Sequence, residues 1–200
     1  YAYWLYESGI YDTDKEKYIT LTEEDYTEEG KSRIRDSLGT EYNYGDQLKV
    51  EMLLDFSVRI SDNIAFKMLT RTYGTQNFNN YMSALGIDIM LNPNTMSFAN
   101  AEDQLKLWLL IEEYLTKVPS SQFAKTLFRA PSYTCPIRGC SIIGCEKNNS
   151  TINECYIIKD KCIAVMLTST GESVVEINQI NPTPLKCIGK HLADAWKAYQ

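Results

Sequence analysis

Ser61-Asp62-Asn63 sets a hydroxyl, a carboxylate and a carboxamide in consecutive positions between two apolar stretches. Before it, Val50, Leu53, Leu54, Ser57 and Val58 recur at helical spacing; after it, Ile64, Ala65, Met68 and Leu69 form a second stripe that stops at Gly74. A polar corner between two buried helices costs free energy unless its groups find partners. Capping supplies one set of partners, because Ser, Asp and Asn all accept hydrogen bonds from the free N–H groups that begin a helix. The other side chains with chemistry to offer are six cysteines, at 135, 140, 145, 155, 162 and 187, and a single histidine, His191. An even number of clustered cysteines points to disulfides in an oxidising compartment, with free buried thiols and a metal site as the alternatives. No Cys-x-x-Cys pair occurs and His191 stands in a different segment, so no metal is expected. A mechanism built on a histidine base has one candidate and nothing to orient it.

The elements that must position these groups are mostly helical up to residue 130 and strand-like after it. Residues 1–8 read as a helix in progress rather than a signal peptide, with Gly9 as the stop. Residues 19–21 read as a short extended piece. Thr22 is a helix N-cap followed by Glu23, Glu24 and Asp25, an acidic first turn taken as solvated surface. Residues 32–45 are loop-like. The two helices flanking Ser61 follow, then a helix over 78–85 ended by Gly86, a turn at 91–94, and a helix over 101–115 capped by Asn100. Leu105, Trp108, Leu109, Ile111 and Leu115 make that last helix's core face. A further helix is predicted over 122–128, capped by Ser120 or Ser121.

From there the period becomes that of strands. Residues 140–145, 152–158 and 162–168 read as three strands joined by hairpin-sized connections, and residues 185–199 as a final helix. A Lys159-Asp160 hairpin puts Cys155 and Cys162 diagonally on one face, and at least one disulfide is expected to tie the meander. The architecture is therefore α+β: a helical lobe over roughly 20–130, then an antiparallel sheet covered by a C-terminal helix over roughly 135–200, within one domain.

Composition narrows the function classes. At 44% apolar and 23% charged residues the chain is ordinary globular protein. A net charge of −6 without a basic run argues against nucleic acid or an anionic membrane surface as partner. No apolar run approaches the roughly 20 residues of a membrane-spanning helix.

The helix pattern of Val50-Glu51-Met52-Leu53-Leu54, then Ser61-Asp62-Asn63, Ala65, Leu69, Gly74 and a later Leu85-Gly86, resembles the penicillin-recognising serine hydrolases: class A β-lactamases, penicillin-binding proteins and their β-lactamase-like relatives. Their signatures are Ser-x-x-Lys, Ser-Asp-Asn and Lys-Thr-Gly. The resemblance implies a β-lactamase/transpeptidase-like fold, an extracytoplasmic location, no cofactor, and a β-lactam-like small molecule or a peptidoglycan-like peptide as ligand. It further implies that Ser61 relays a proton to the leaving group, that Asn63 holds the activating lysine and the substrate carbonyl, and that Asp62 holds the loop.

The other signatures depart from that pattern. No Ser-x-x-Lys occurs among the 200 residues; by the resemblance it falls a few residues ahead of Tyr1, where two further strands of the sheet are also expected. The lookalikes Thr183-Pro184-Leu185-Lys186 and Cys187-Ile188-Gly189-Lys190 lie on the wrong element. The Lys-Thr-Gly position reads Ile142-Ile143-Gly144, followed by Cys145, whose backbone N–H would be the oxyanion donor. An isoleucine pair offers neither charge nor donor to a carboxylate. Between Gly86 and Asn100 there is Asp88 but none of the glutamate that activates the deacylating water in class A β-lactamases. The expectation is a serine hydrolase domain impaired or divergent in β-lactam hydrolysis, or else a non-catalytic binding or scaffolding domain at the cell envelope.

Overall fold

Two short helices open the chain, α1 (Ala2–Glu7) and α2 (Ile10–Asp14). Gly9 separates them with a φ of 73°, a left-handed conformation that glycine adopts without strain. The computed structural model describes residues 1–26, 41–60, 62–92, 99–118, 121–123, 139–146, 149–158 and 161–170. It forms two compact units, Tyr1–Ala99 with Lys117–Ala130, and Asn100–Thr116 with Pro131–Gln200.

In the first unit, α2 leads into β1 (Tyr18–Thr20), a single 3-10 turn (Glu23–Asp25), β2 (Gln47–Lys49), α3 (Val50–Arg59), α4 (Asn63–Tyr73) and α5 (Thr75–Ala84). β1 and β2 pair antiparallel with Ile19 opposite Leu48. β1 is the extended piece expected at 19–21, set one residue earlier, whereas its partner β2 is a three-residue strand with too little alternation to stand out in the sequence. The pairing places Leu48 in a strand rather than in the helix that follows. Leu5, Leu21, Leu48, Leu53, Ile64, Met68, Leu69 and Met82 are essentially fully buried, so the apolar stripes on both sides of Ser61 do face a core. Helix α5 begins at Thr75, a turn earlier than its apolar residues suggest, since Gly74 ends α4 and starts α5 in one residue.

In the second unit, α6 (Ala101–Lys117) starts as expected, with the Asn100 side chain accepting from the Asp103 N–H at 2.8 Å. Trp108, Ile111 and Leu115 are buried, but Leu109 is 48% exposed and is not a core residue: it lies one position round the helix from Trp108. Strands β3 (Gly139–Glu146), β4 (Asn149–Ile158) and β5 (Lys161–Thr170) form an antiparallel meander in the order β3-β4-β5. All three predicted strands are present, each longer than its apolar segment, with two residues between successive strands. The helix expected over 185–199, most of that over 122–128, and part of the turn at 91–94 lie outside the described residues. Among the described residues no helix is long and apolar enough to cross a membrane.

Candidate functional site

The polar corner is built by the end of α3 and the start of α4. The Phe56 carbonyl accepts both the Ile60 N–H at 3.2 Å and the Asp62 N–H at 3.1 Å, which folds the chain back onto the last turn of α3. Asp62 then caps α4 twice over: its Oδ1 accepts from the Ala65 N–H at 2.8 Å and its carbonyl from the Phe66 N–H at 3.1 Å. Asp62 is only 2% exposed, whereas Asn63, the first residue of α4, is exposed. Among the described residues of the tripeptide, the capping expectation therefore belongs to Asp62, and Asn63 is left exposed. Ser61 lies outside the described residues.

Removing the cap strands the Ala65 N–H. We expect Asp62→Ala to cost about 1 kcal/mol, as N-cap truncations do, with Asp62→Asn recovering most of it. Urea unfolding checks this; an unchanged midpoint for Asp62→Ala would show that the bond to Ala65 contributes nothing.

The helix that carries Asn63 is pinned along its length. Near its start the Phe66 ring meets the Tyr1 ring edge-on at 5.6 Å, and Tyr1 also packs on Trp4 and Phe78, at 5.0 and 5.5 Å. The Tyr1 hydroxyl donates to the Gly74 carbonyl at 3.0 Å, and burial pushes its ionisation well above the usual tyrosine range. Two turns past Asn63, the Arg71 guanidinium makes two parallel bonds to Asp25: Nε to Oδ1 at 2.7 Å and Nη2 to Oδ2 at 2.8 Å. It also donates to the Thr20 carbonyl at 2.9 Å. At the last residue of the helix, the Tyr73 hydroxyl donates to Asp14 at 3.2 Å.

Asp25 corrects the reading of residues 23–25 as solvated surface. It is fully buried, and its Oδ2 accepts from the Thr22 N–H at 2.9 Å and the Thr22 hydroxyl at 3.0 Å. Burial alone would raise its pKa, but the bonds from Arg71 and Thr22 outweigh that and hold the carboxyl below the ordinary carboxylate range. The spacing Thr22-x-x-Asp25 is a capping-box signature, and that signal could have singled Asp25 out from Glu23 and Glu24. Nothing in the sequence pointed to Arg71 as its partner.

From within α5, buried Asn79 clamps the main chain of Leu91: its Nδ2 donates to the Leu91 carbonyl at 3.0 Å and its Oδ1 accepts from the Leu91 N–H at 2.7 Å. The clamp fixes the chain where it enters the segment between Gly86 and Asn100. Asp88, the acid in that segment, is exposed.

In the second unit, Ile142, Ile143, Gly144 and Cys145 are consecutive residues of β3, opposite Asn153, Ile152, Thr151 and Ser150 of β4. Strand β3 ends the sheet among the described residues. The two isoleucines stand in the middle of this strand. Among the described residues no group of His, Cys, Asp and Glu side chains forms a metal site.

The family described as the beta-lactamase enzyme family matches residues 3–134. Among solved structures, the fold is similar to that of TLA-3 extended-spectrum beta-lactamase, at 14% identity over 96% of this chain and 80% of that one, with a TM-score of 0.69. It is equally similar to a representative class A beta-lactamase from Bacteroides cellulosilyticus, at 14% identity over 98% and 80% of the two chains, with a TM-score of 0.69. PBP-A aligns at 11% identity over 98% and 78%, again with a TM-score of 0.69. No curated protein sequence matches the chain. At these identities the solved structures speak for the fold, which is α+β and β-lactamase/transpeptidase-like.

Proposed function

Because this chain belongs to the beta-lactamase enzyme family, we propose that it is a β-lactamase-like serine hydrolase domain whose ligand site has diverged where relatives hold a carboxylate. Its helical unit and its sheet unit are read as two lobes of one such domain. The observation that carries the proposal is the corner at Asp62, which is buried and bonded on both sides of the helix break and so presents Asn63 exposed at the head of α4. In this reading Ser61 passes the proton to the leaving group, and Asn63 binds the substrate carbonyl. Asp62 holds the corner rather than touching substrate. The Cys145 backbone N–H serves as an oxyanion donor, which a change of side chain does not remove.

The ligand is a β-lactam-like small molecule or a peptidoglycan-like peptide, met outside the cytoplasmic membrane. A variant of PBP-A has been solved as an acyl-enzyme complex with penicillin G, which makes a penicillin the natural probe. At Ile142 and Ile143 the ligand meets apolar side chains in place of a cation and a hydroxyl. The lost charge-assisted bond weakens binding of a carboxylate by about 1.5–3 kcal/mol.

Intact mass spectrometry of the full natural protein with benzylpenicillin tests the proposal. A covalent adduct of one penicillin is expected, formed about 100-fold more slowly in Asn63→Ala, the scale of losing one donor to a developing oxyanion. A folded protein that gives neither an adduct nor hydrolysis of the drug overturns it. That outcome would favour a second reading, a non-catalytic binding or scaffolding domain at the cell envelope. Ile142-Ile143 and the missing glutamate between Gly86 and Asn100 already lean that way.

A further inference from the structure

We propose that Cys140 and Cys155 form a cross-strand disulfide that ties β3 to β4, with Cys162 placed to exchange into it. The register sets Cys140 directly opposite Cys155. On the next strand Cys155 stands opposite Ala164, and Ile157 opposite Cys162. Residues two apart on a strand share a face, so Cys140, Cys155 and Cys162 belong to one face of the sheet. Cys145, opposite Ser150, belongs to the other.

Distance decides which of the three pair. Directly opposite residues in an antiparallel ladder have Cα atoms about 4.5 or 5.5 Å apart, according to whether the pair is hydrogen-bonded. Both values fall inside the range of roughly 4.4–6.8 Å that a disulfide spans. Diagonal neighbours stand about 7–8 Å apart, beyond that range without movement of the backbone. Cys155 therefore bonds Cys140 in preference to Cys162.

The oxidant is a disulfide, small-molecule or protein, of the kind present in oxidising compartments. One of the two thiolates attacks it, forming a mixed disulfide and expelling one thiolate. The second cysteine's thiolate then attacks the mixed disulfide at its neighbour's sulfur and expels the other. Two protein thiols are oxidised, two protons leave, and the oxidant is reduced to two thiols. The remaining thiol, Cys162, can attack Cys155 only when the strands shift. Strand register alone favours this pair, whether the domain is an enzyme or a binding module.

Peptide mapping tests the pair. The full natural chain is equilibrated with glutathione disulfide and glutathione, alkylated with N-ethylmaleimide without reduction, and digested with trypsin. Cleavage after Arg138, Lys147 and Lys159 yields residues 139–147 and residues 148–159. The expected product is these two peptides joined, two hydrogens lighter than their sum, with Cys145 alkylated by fragmentation analysis. On reduction, alkylation of Cys155 rises from near none to near complete. Cys145→Ser keeps the joined product and Cys140→Ser loses it. Alkylated Cys155 in the oxidised protein overturns the proposal, as does its linkage to the peptide beginning at Cys162, or a joined product through Cys145. Mapping of the unaltered chain alone decides the matter if Cys140→Ser does not fold.

Discussion

Replacing Arg71 by alanine is expected to lower the unfolding free energy by about 3 kcal/mol at neutral pH, the scale of breaking a buried ion pair by removing one partner. The reason is the asymmetry between the two ends. Arg71 reaches the surface, its side chain 31% exposed, whereas the Asp25 carboxylate is 0% exposed. Loss of the guanidinium leaves that carboxylate, among the described residues, with Thr22 as its partner, in surroundings that penalise its charge. An exposed ion pair would cost less than about 1 kcal/mol on the same change, so urea unfolding of the two proteins separates the cases.

The pH dependence supplies a second readout. The folded-state pKa of Asp25 lies below its ordinary value of 3.8, so its charged form stabilises the fold above that value, and the contribution fades as the pH falls through the folded-state pKa. The gap between the natural protein and Arg71→Ala should be full at pH 6 and close in strong acid. A gap that stays constant down to about pH 2, below any ordinary carboxylate pKa, would mean that the loss comes from the packing of the arginine stem instead. Because α4 begins at Asn63 and is anchored at Arg71, this pair also holds the candidate site's helix in place.

The second large effect is a gain. Restoring a cation and a hydroxyl to β3 with Ile142→Lys and Ile143→Thr should improve acylation by, or binding of, benzylpenicillin by about 10- to 100-fold, which corresponds to regaining one charge-assisted bond. The methyl ester of the same penicillin has no carboxylate and should gain nothing. An equal gain for acid and ester would place the improvement in the shape of the site. No gain for either, in a protein that melts normally, would mean that β3 is not where the ligand's carboxylate binds. That result would leave the role of Asn63 untouched, since it concerns the other unit of the chain.

Much of the scaffold could be read from the residues because its signals are local. Gly9, Gly74 and Gly86 stop helices where a left-handed or glycine-only backbone is needed, with φ values of 73°, 80° and 68°. Asn100 and Asp62 cap helices through bonds to N–H groups three residues on. The three strands of the meander declared themselves by a change of period and by polar residues between them, and the Ser-Asp-Asn tripeptide with its flanking helix pattern and Leu85-Gly86 resembles the family to which the chain belongs. All of these depend on neighbours within about one turn of chain, so residue type and spacing carry the information.

What the sequence could not decide were the partnerships between distant segments. Asp25 looks like its neighbours Glu23 and Glu24 until Arg71, 46 positions later, is brought against it. Ile19 and Leu48 are unremarkable residues until β1 and β2 pair. Leu109 and Trp108 are adjacent and both apolar, yet one is exposed and the other buried, because the width of the covered face is set by what packs on it. Cys155 had several cysteines within plausible reach, and only the strand register put Cys140 directly opposite. Local chemistry determined where this chain turns and which family it follows. Tertiary structure decided which charges and strands meet, because those contacts form only when the closing of long loops is offset by burial of the core.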